Sequence, residues 1–496
     1  MVSQKGSPAM RKAEKHDLLE MTCVESAGVA ATTVAAAGFR LDASAFLKRG
    51  VQVSVTSYAA SGQVLSELAE VFTVYIQTPL LYYVEPCANS RPYLTTSELG
   101  EYQRETSPHV SLITDPRLIE WEVKEGYIVL SRSGRVGETY WIDKKLAGAL
   151  VGDSFRVVPK NSETGYFVYA LLSSQYAKDY MTGVSYGSVV DHASVDHARE
   201  LPLPRMESQR RQHIVSLIQE ALAARATAYN FLDEADVSLL RINGLPRLMS
   251  PSQQFDPLGQ PECFDVSANA VNARNGDGAE YRLDAHFYNP TAQRAVANIK
   301  KCRCEVKTVG KVAERVLMGP RFKRNYVESN HGVPFLSGKN IVQIRPTDLK
   351  YLSNRQIADM QELIVKRGWT LITCSGTIGR TCFVWKNYED YAASQHILRV
   401  IPDETKIDPG YLYAFLASPY GYEQILRYRH GSVIDEVTDK QIEHVLVPCP
   451  SRKEQEAIGN MVRKAYEKRA EAIRLEDEAQ AILMNELTKA QGAKGV

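Results

Sequence analysis

Side chains that can grip a phosphate or read a base edge gather in a few short segments of this 496-residue chain. Gly319 and Pro320 precede Arg321, Phe322, Lys323 and Arg324. A turn followed by alternating basic residues suits phosphate contact or guanine readout, and a solvated basic loop would have the same composition. Lys339 and Asn340 follow Ser337 and Gly338. Lysine suits guanine and asparagine suits adenine, with a turn role equally open. Ser375, Thr377 and Arg380 surround Gly376 and Gly379, glycines that let the backbone approach a phosphate or simply make a tight turn. Gln395 and His396 suit base edges, although a buried, satisfied histidine reads the same way. Arg427, Arg429, His430 and Ser432 form the densest basic patch of this half. Earlier in the chain the corresponding candidates are Arg91, Thr95, Thr96, Ser97, Arg132, Ser133, Arg135, Tyr186 and Ser188.

Chemistry on a bound substrate finds less support. Asn289-Pro290-Thr291 lacks the second proline of an Asn-Pro-Pro-aromatic methyltransferase motif. No Gly-rich nucleotide loop with its Lys-Ser/Thr ending occurs, and no paired-acidic nuclease motif stands out. The eight cysteines form no C-x-x-C pair, and Cys302 and Cys304 are too close for a zinc knuckle. Reduced thiols in a cytoplasmic protein, with no catalytic residue, metal or cofactor on this chain, are the expectation. No run of about 18 apolar residues suggests a membrane span. The net charge of +1 excludes a uniformly basic clamp, so any DNA-binding charge has to be local or supplied by a partner.

The elements that must position these residues come as a repeat. Phe39-Arg40-Leu41-Asp42-Ala43 returns as Tyr281-Arg282-Leu283-Asp284-Ala285, 242 residues on. Arg91-Pro92-Tyr93-Leu94 returns as Val333-Pro334-Phe335-Leu336, and Ser133-Gly134-Arg135-Val136-Gly137 as Ser375-Gly376-Thr377-Ile378-Gly379, both at 242. Arg156-Val157-Val158-Pro159 returns as Arg399-Val400-Ile401-Pro402 at 243, and Gly187-Ser188-Val189-Val190-Asp191 as Gly431-Ser432-Val433-Ile434-Asp435 at 244. The chain is two copies of one unit.

Each copy mixes short β-type runs, such as the one before Ser133-Gly134, with helically spaced apolar stretches such as that around Phe167. A long helix ends each copy. Ile214, Leu217, Ala221, Ala224, Ala228, Phe231, Ala235 and Ile242 fall mostly at steps of three and four, as do Ile458, Met461, Ala465, Ala472, Leu475, Ala479 and Ile482. These are coiled-coil seams, and about 30–35 residues give a rod of roughly 45–50 Å. The divisions expected are an N-terminal segment 1–38, a first α+β domain 39–204, helix 205–244, linker 245–280, a second domain 281–450, helix 451–490 and tail 491–496.

The ordered set R-L-D-A, G-P-R-F-K-R, V-P-F-L-S-G-K-N-I, S-G-T-I-G-R-T, S-Q-H-I-L-R-V-I-P, G-Y-L-Y-A-F-L-A-S-P-Y-G and G-S-V-I-D-E, followed by a charged Ala-rich helix, resembles the specificity subunit of type I restriction–modification systems. The resemblance runs from about Phe39 to Met484, twice over, and is closer in the second copy. It implies two target-recognition domains in tandem, each reading half of a split double-stranded DNA site, and two helices paired as an antiparallel coiled coil with pseudo-twofold symmetry. It also implies two methyltransferase subunits carrying S-adenosylmethionine, and allows ATP-dependent restriction subunits. The other readings are a DNA-recognition adaptor of a related phage-defence system and an unrecognised DNA methyltransferase or nuclease. The two copies differ where contact is expected: Phe322, Lys323 and Arg324 align with Pro79, Leu80 and Leu81.

Overall fold

A computed structural model describes residues 62–84, 86–102, 108–186, 190–204, 206–248, 264–268, 271 and 282–492. The first copy of the R-L-D-A motif, most of the linker and Ser188 lie outside the described residues. The fold mixes helix and sheet.

The first unit holds strands β1 (Ala69–Thr73), β2 (Tyr83–Val84), β3 (Ser90–Leu94), β4 (His109–Ser111), β5 (Ile128–Ser131), β6 (Thr139–Trp141), β7 (Leu150–Val151) and β8 (Ser154–Pro159). Helices α1 (Ser162–Leu172), α2 (Gln175–Val184), α3 (Val195–Arg199) and α4 (Ser208–Asn243) follow. The second unit opens with α5 (Pro290–Lys300) and β9 (Glu305–Thr308). It continues through β10 (Ala313–Met318), β11 (Tyr326–Val327), β12 (Gly332–Leu336), β13 (Lys350–Ser353), β14 (Thr370–Thr373), β15 (Thr381–Phe383), β16 (Ala392–Ala393) and β17 (Ile397–Pro402). It closes with α6 (Pro409–Ala417), α7 (Pro419–Leu426), α8 (Asp439–Glu443), β18 (Leu446–Cys449) and α9 (Arg452–Gly492).

The sheets repeat strand for strand. The order β1-β8-β5-β6 recurs as β10-β17-β14-β15, and β2-β4-β3-β7 recurs as β11-β13-β12-β16. Every pairing in them is antiparallel except β3 with β7 and β12 with β16, which are parallel in both units. The β9–β18 pair has a single-bridge counterpart in the first unit, Val64 with Pro202, at the positions of Thr308 and Leu446. Local capping repeats as well. The Ser174 and Ser418 hydroxyls accept from the third amide of α2 and α7, and Ser194 and Thr438 form capping boxes on α3 and α8.

A buried arginine clamps the main sheet of each unit at the matching place. Arg156 donates to the carbonyls of Ser154, Trp121 and Val151. Arg399 donates to those of Ser394, Ile397 and Ala393. Burial holds each guanidinium down to about 10, still charged at neutral pH. Three carbonyl acceptors make that buried charge tolerable.

The two long helices, about 54 and 62 Å at 1.5 Å per residue, pack against each other in opposite directions. Arg210 of α4 reaches Glu486 of α9, Arg225 reaches Glu476, and Lys464 lies over Phe231. The start of α4 (Ile214, Ile218, Ala221) and the end of α9 (Ala479, Leu483, Leu487) share the first unit's core. The end of α4 (Ala235, Leu239) and the start of α9 (Ile458, Val462) share the second unit's core. Each core is thus completed by helix from the other copy. The Arg225–Glu476 pair sits buried between the helices.

Where the units meet, equivalent residues exchange bonds. The Tyr102 amide donates to the Val342 carbonyl at 2.8 Å, and the Ile344 amide to the Gly100 carbonyl at 2.7 Å. Tyr102 and Ile344, like Gly100 and Val342, are equivalents 242 positions apart, so the two bonds exchange as a local twofold relation between the copies requires. Arg469 of α9 is buried against this junction, donating to the carbonyls of Gln343 and Ile344 and to the Tyr388 hydroxyl at 2.7 Å, with its guanidinium 4.6 Å from the Tyr102 ring centre.

Candidate nucleic-acid interface

In the second unit the candidate residues converge on one end of sheet β10-β17-β14-β15. Met318 pairs with Leu398, and Thr373 with Ile397, so β10 and β14 finish where β17 begins. The loop at 319–325, the turn at 375–379 and the pair Gln395–His396 therefore leave the sheet at the same end. The loop at 430–436 docks onto that turn: Gly376 donates its amide to the Asp435 carbonyl at 3.0 Å, and Val437 to the Cys374 carbonyl at 2.9 Å. In the first unit Arg132, Ser133 and Arg135 occupy the turn between β5 and β6, and Gly134 donates to the Asp191 carbonyl at 2.9 Å in the same way. The turn glycines sit at positive φ, 71° and 90° at Gly134 and Gly137, 75° and 85° at Gly376 and Gly379. Such angles favour glycine. Because the Gly134 and Gly376 amides are engaged inside the protein, the turn does not offer them to a phosphate.

The exposed cations are few. Arg321 and Lys323 are exposed, and among the described residues neither side chain has a hydrogen-bond or ion-pair partner. Thr377 and Ser432 are exposed as well. Arg324 is half-buried, donates to Gln395 Oε1 at 2.8 Å and lies 5.3 Å from the Phe335 ring centre. Gln395 Nε2 lies 3.0 Å from His396 Nε2. These three make one linked polar edge. Arg429 contacts the His286 ring and faces Asp435 at 3.8 Å. Burial, and then the Arg429 charge, push the His286 pKa below its usual value.

Other candidates are turned inward, and here the structure corrects the expectation. Asn340 is 5% exposed; its Oδ1 accepts from the Ser337 amide at 3.0 Å and hydroxyl at 2.6 Å, and its Nδ2 donates to the Thr347 carbonyl at 3.0 Å. It is a turn residue with no polar atom left for adenine. Arg427 is 5% exposed, its guanidinium stacked 3.9 Å from the Phe287 ring centre. Arg135, Lys339 and Arg380 face carboxylates across the junction: Arg135 to Asp348 at 2.9 Å, Lys339 to Glu138 at 4.0 Å, Arg380 to Glu101 at 3.8 Å. Their charge joins the units. Ser375 is half-buried and bridges Glu436 through its backbone.

The remaining first-unit candidates scatter. Arg132 faces Asp153 at 3.3 Å. The Ser133 hydroxyl lies 2.6 Å from Asp153 Oδ2 and 2.9 Å from His192 Nδ1. Tyr186 is 49% exposed at this end. Arg91, on β3 of the other sheet, pairs with Glu122 at 3.3 Å. Thr95 donates its hydroxyl to Glu98 at 2.8 Å, Ser97 lies 3.1 Å from that hydroxyl, and Thr96 is half-buried. Thr95 to Ser97 thus form a capped turn leading into the junction.

Sequence reasoning passes over the residue that places the basic loop. Arg282 grips Asp284 with two bonds, 2.8 and 2.7 Å, and donates to the carbonyls of Tyr428 and Arg429 at 3.3 and 3.1 Å. Its signal is the repeated R-L-D-A motif, which reads as a repeat and not as a clamp. Among the described residues no group of three or more His, Cys, Asp or Glu side chains is arranged to hold a metal, and no helix is long and apolar enough to cross a membrane.

Residues 303–476, from β9 to the middle of α9, match the family model described as the type I restriction modification DNA specificity domain. That stretch, about a third of the chain, is similar to the DNA specificity domain of type I restriction–modification systems. Solved structures similar to this chain include the S subunit of a type I restriction-modification system from M. genitalium, at TM-score 0.31 and 11% identity, covering 86% of this chain and 95% of that one. The HsdS subunit from Thermoanaerobacter tengcongensis aligns at TM-score 0.28 and 15% identity, over 85% and 95%. A chain from a study of complex assembly and conformational transition of the type I R-M system aligns at 0.27 and 16%, over 86% and 96%. No curated protein matches the chain.

Proposed function

We propose that this chain is the sequence-specific DNA-recognition subunit of a type I restriction–modification complex and performs no chemistry itself. One observation supports this most: a DNA specificity domain match on the second unit, whose strand order recurs throughout the first. Two units of one frame with unlike loops suit the two unlike halves of a split DNA site. Within the second unit, Arg321 and Lys323 contact phosphate, and Arg324, Gln395 and His396 read base edges. In the first, Arg132, Ser133 and Tyr186 occupy the corresponding end. The paired long helices act as the spacer between half-sites, in a pseudo-twofold body. Two methyltransferase subunits carrying S-adenosylmethionine dock on this body and modify adenine, and ATP-dependent restriction subunits are the further partner. The domain divisions at 39–204 and 281–450 are part of the same proposal.

The test is the methylation map of cells that express this chain with a type I methyltransferase subunit encoded beside it. A split motif, methylated on both strands and absent without this chain, is the expected result. Methyl transfer by the purified chain alone would overturn the non-catalytic reading.

A further inference from the structure

The loop at 430–436 carries a feature that base reading does not explain. It is rigidly built. The His430 amide donates to the Glu436 carbonyl at 3.0 Å and the Glu436 amide to the His430 carbonyl at 2.7 Å. Gly431 sits at φ 128°, where a Cβ would lie 2.2 Å from the Ile434 carbonyl oxygen. Asp435 and Val437 are pinned to the Gly376 turn by the two bonds given above, and the Arg282 clamp holds the chain just before it. Yet the tip exposes two adjacent β-branched residues, Val433 at 94% and Ile434 at 58%. Isolated exposed apolar residues are ordinary. Two at the end of a braced loop, on the same sheet end as the free cations Arg321 and Lys323, are not a by-product of folding.

The described residues flanking the first unit's loop make the same bonds. Tyr186 and His192 exchange amide–carbonyl bonds at 2.8 and 2.7 Å, Ala193 donates to the Arg132 carbonyl at 2.9 Å, and Val190 is 44% exposed. The sequences are Gly-Ser-Val-Val-Asp and Gly-Ser-Val-Ile-Asp. The loop between the first two strands of each unit, in contrast, has diverged from Pro79-Leu80-Leu81 to Phe322-Lys323-Arg324. Parts that differ between two readers suit what differs between half-sites. A part that both share suits what every duplex has in common: the sugars and base-pair edges lining a groove.

We propose that the Val433–Ile434 tip, and in the first unit Val190, packs into a DNA groove as an apolar contact that is independent of base sequence. The proposal rests on the DNA-reading function above. Branched apolar side chains wedge against sugars and stacked bases in this manner elsewhere, and their stiff χ1 angles lose little freedom on contact. Arg321 and Lys323, exposed at the same sheet end, supply the charge complementarity that brings a duplex there.

The experiment uses the full chain, a synthetic duplex selected by the parent protein from a random-centre pool, and a scrambled duplex. Val433→Ser combined with Ile434→Ser leaves the fold alone, because both side chains face water. The expected result is about a tenfold loss of affinity for both duplexes alike. The preference for the selected duplex and the slope of log affinity against log salt stay unchanged, since no phosphate-neutralising charge is removed. Val190→Ser should act in the same sense. Unchanged affinity overturns the proposal, as does a fall in the selected-to-scrambled ratio, which would make the tip a base reader. Unchanged duplex affinity with loss of a copurifying methyltransferase would make it a protein contact and equally overturn it. If the parent selects no duplex at all, the DNA-reading function itself fails and the tip proposal falls with it.

Discussion

Arg321 and Lys323 owe their standing to what surrounds them. Each is exposed and, among the described residues, unpaired, whereas Arg135, Lys339 and Arg380 face carboxylates and Arg427 is buried on an aromatic ring. A free surface cation releases counterions on meeting a phosphate; one already paired gains less. Replacing Arg321 and Lys323 with alanine should therefore lower the salt slope of duplex binding by about 0.9 for each phosphate that is no longer neutralised. Binding titrations at several salt concentrations check this, and an unchanged slope removes the pair from the interface. In the proposed reading, the linked set Arg324, Gln395 and His396 discriminates bases. Gln395 is held from both sides, by Arg324 at 2.8 Å and His396 at 3.0 Å, so its amide orientation is set before any ligand arrives.

At the scale of elements, two contacts carry the geometry. Helices α6 and α9 cross where Gly410 meets Gly459: a Cβ on Gly410 would lie 2.7 Å from the Gly459 carbonyl, and one on Gly459 1.8 Å from Asp408 Oδ1. Asp408 caps α6 through the Tyr411 amide and pairs with Arg463 at 3.1 Å, so it has no room to move aside. Gly459→Ala should destabilise the protein by about 1–3 kcal/mol, despite alanine's better helix propensity. A urea midpoint equal to that of the parent would count against the close crossing. The second contact joins the units through Asp348, which accepts from Lys178 at 3.0 Å and Arg135 at 2.9 Å. Burial raises its pKa, but the bonds from Lys178 and Arg135 outweigh this and hold it below 3.8. A carboxylate with a depressed folded pKa stabilises above the unfolded value and loses that contribution as pH falls through the folded one. Asp348→Asn should accordingly be less stable than the parent at neutral pH, with the difference closing below about pH 3.8. Thermal unfolding across that range measures it, and a difference independent of pH would show that the ion pairs do not matter.

For the whole molecule, the opposed helices set the distance between the two sheet ends. Each helix completes the other copy's core, so the units cannot separate without unfolding one another's helix ends. Removing seven residues from both α4 and α9 preserves the buried face and shortens the body by about 10 Å, roughly three base pairs of duplex. The gap in the methylated split motif should shrink by about that number. A gap that stays the same would show that the helices are not the spacer.

Much of the frame is legible in the residues alone. The offsets of 242–244 locate repeats whose sheets recur strand for strand, because backbone pairing follows local pattern and turn chemistry that each copy carries in full. The periodic seams mark the long helices for the same reason. What no local pattern contains is which cations stay free. Asn340 reads as a base reader and closes a turn; Arg427 reads as part of a basic patch and lies on Phe287; Arg135, Lys339 and Arg380 meet Asp348, Glu138 and Glu101 of the opposite copy. Asn340 is closed by Ser337 and Thr347 nearby, but the surroundings of the four cations are settled by groups more than a hundred residues away in sequence. The carboxylates Asp348, Glu138 and Glu101 come within Coulomb range only when the two helices pack in opposite directions and bring the copies face to face.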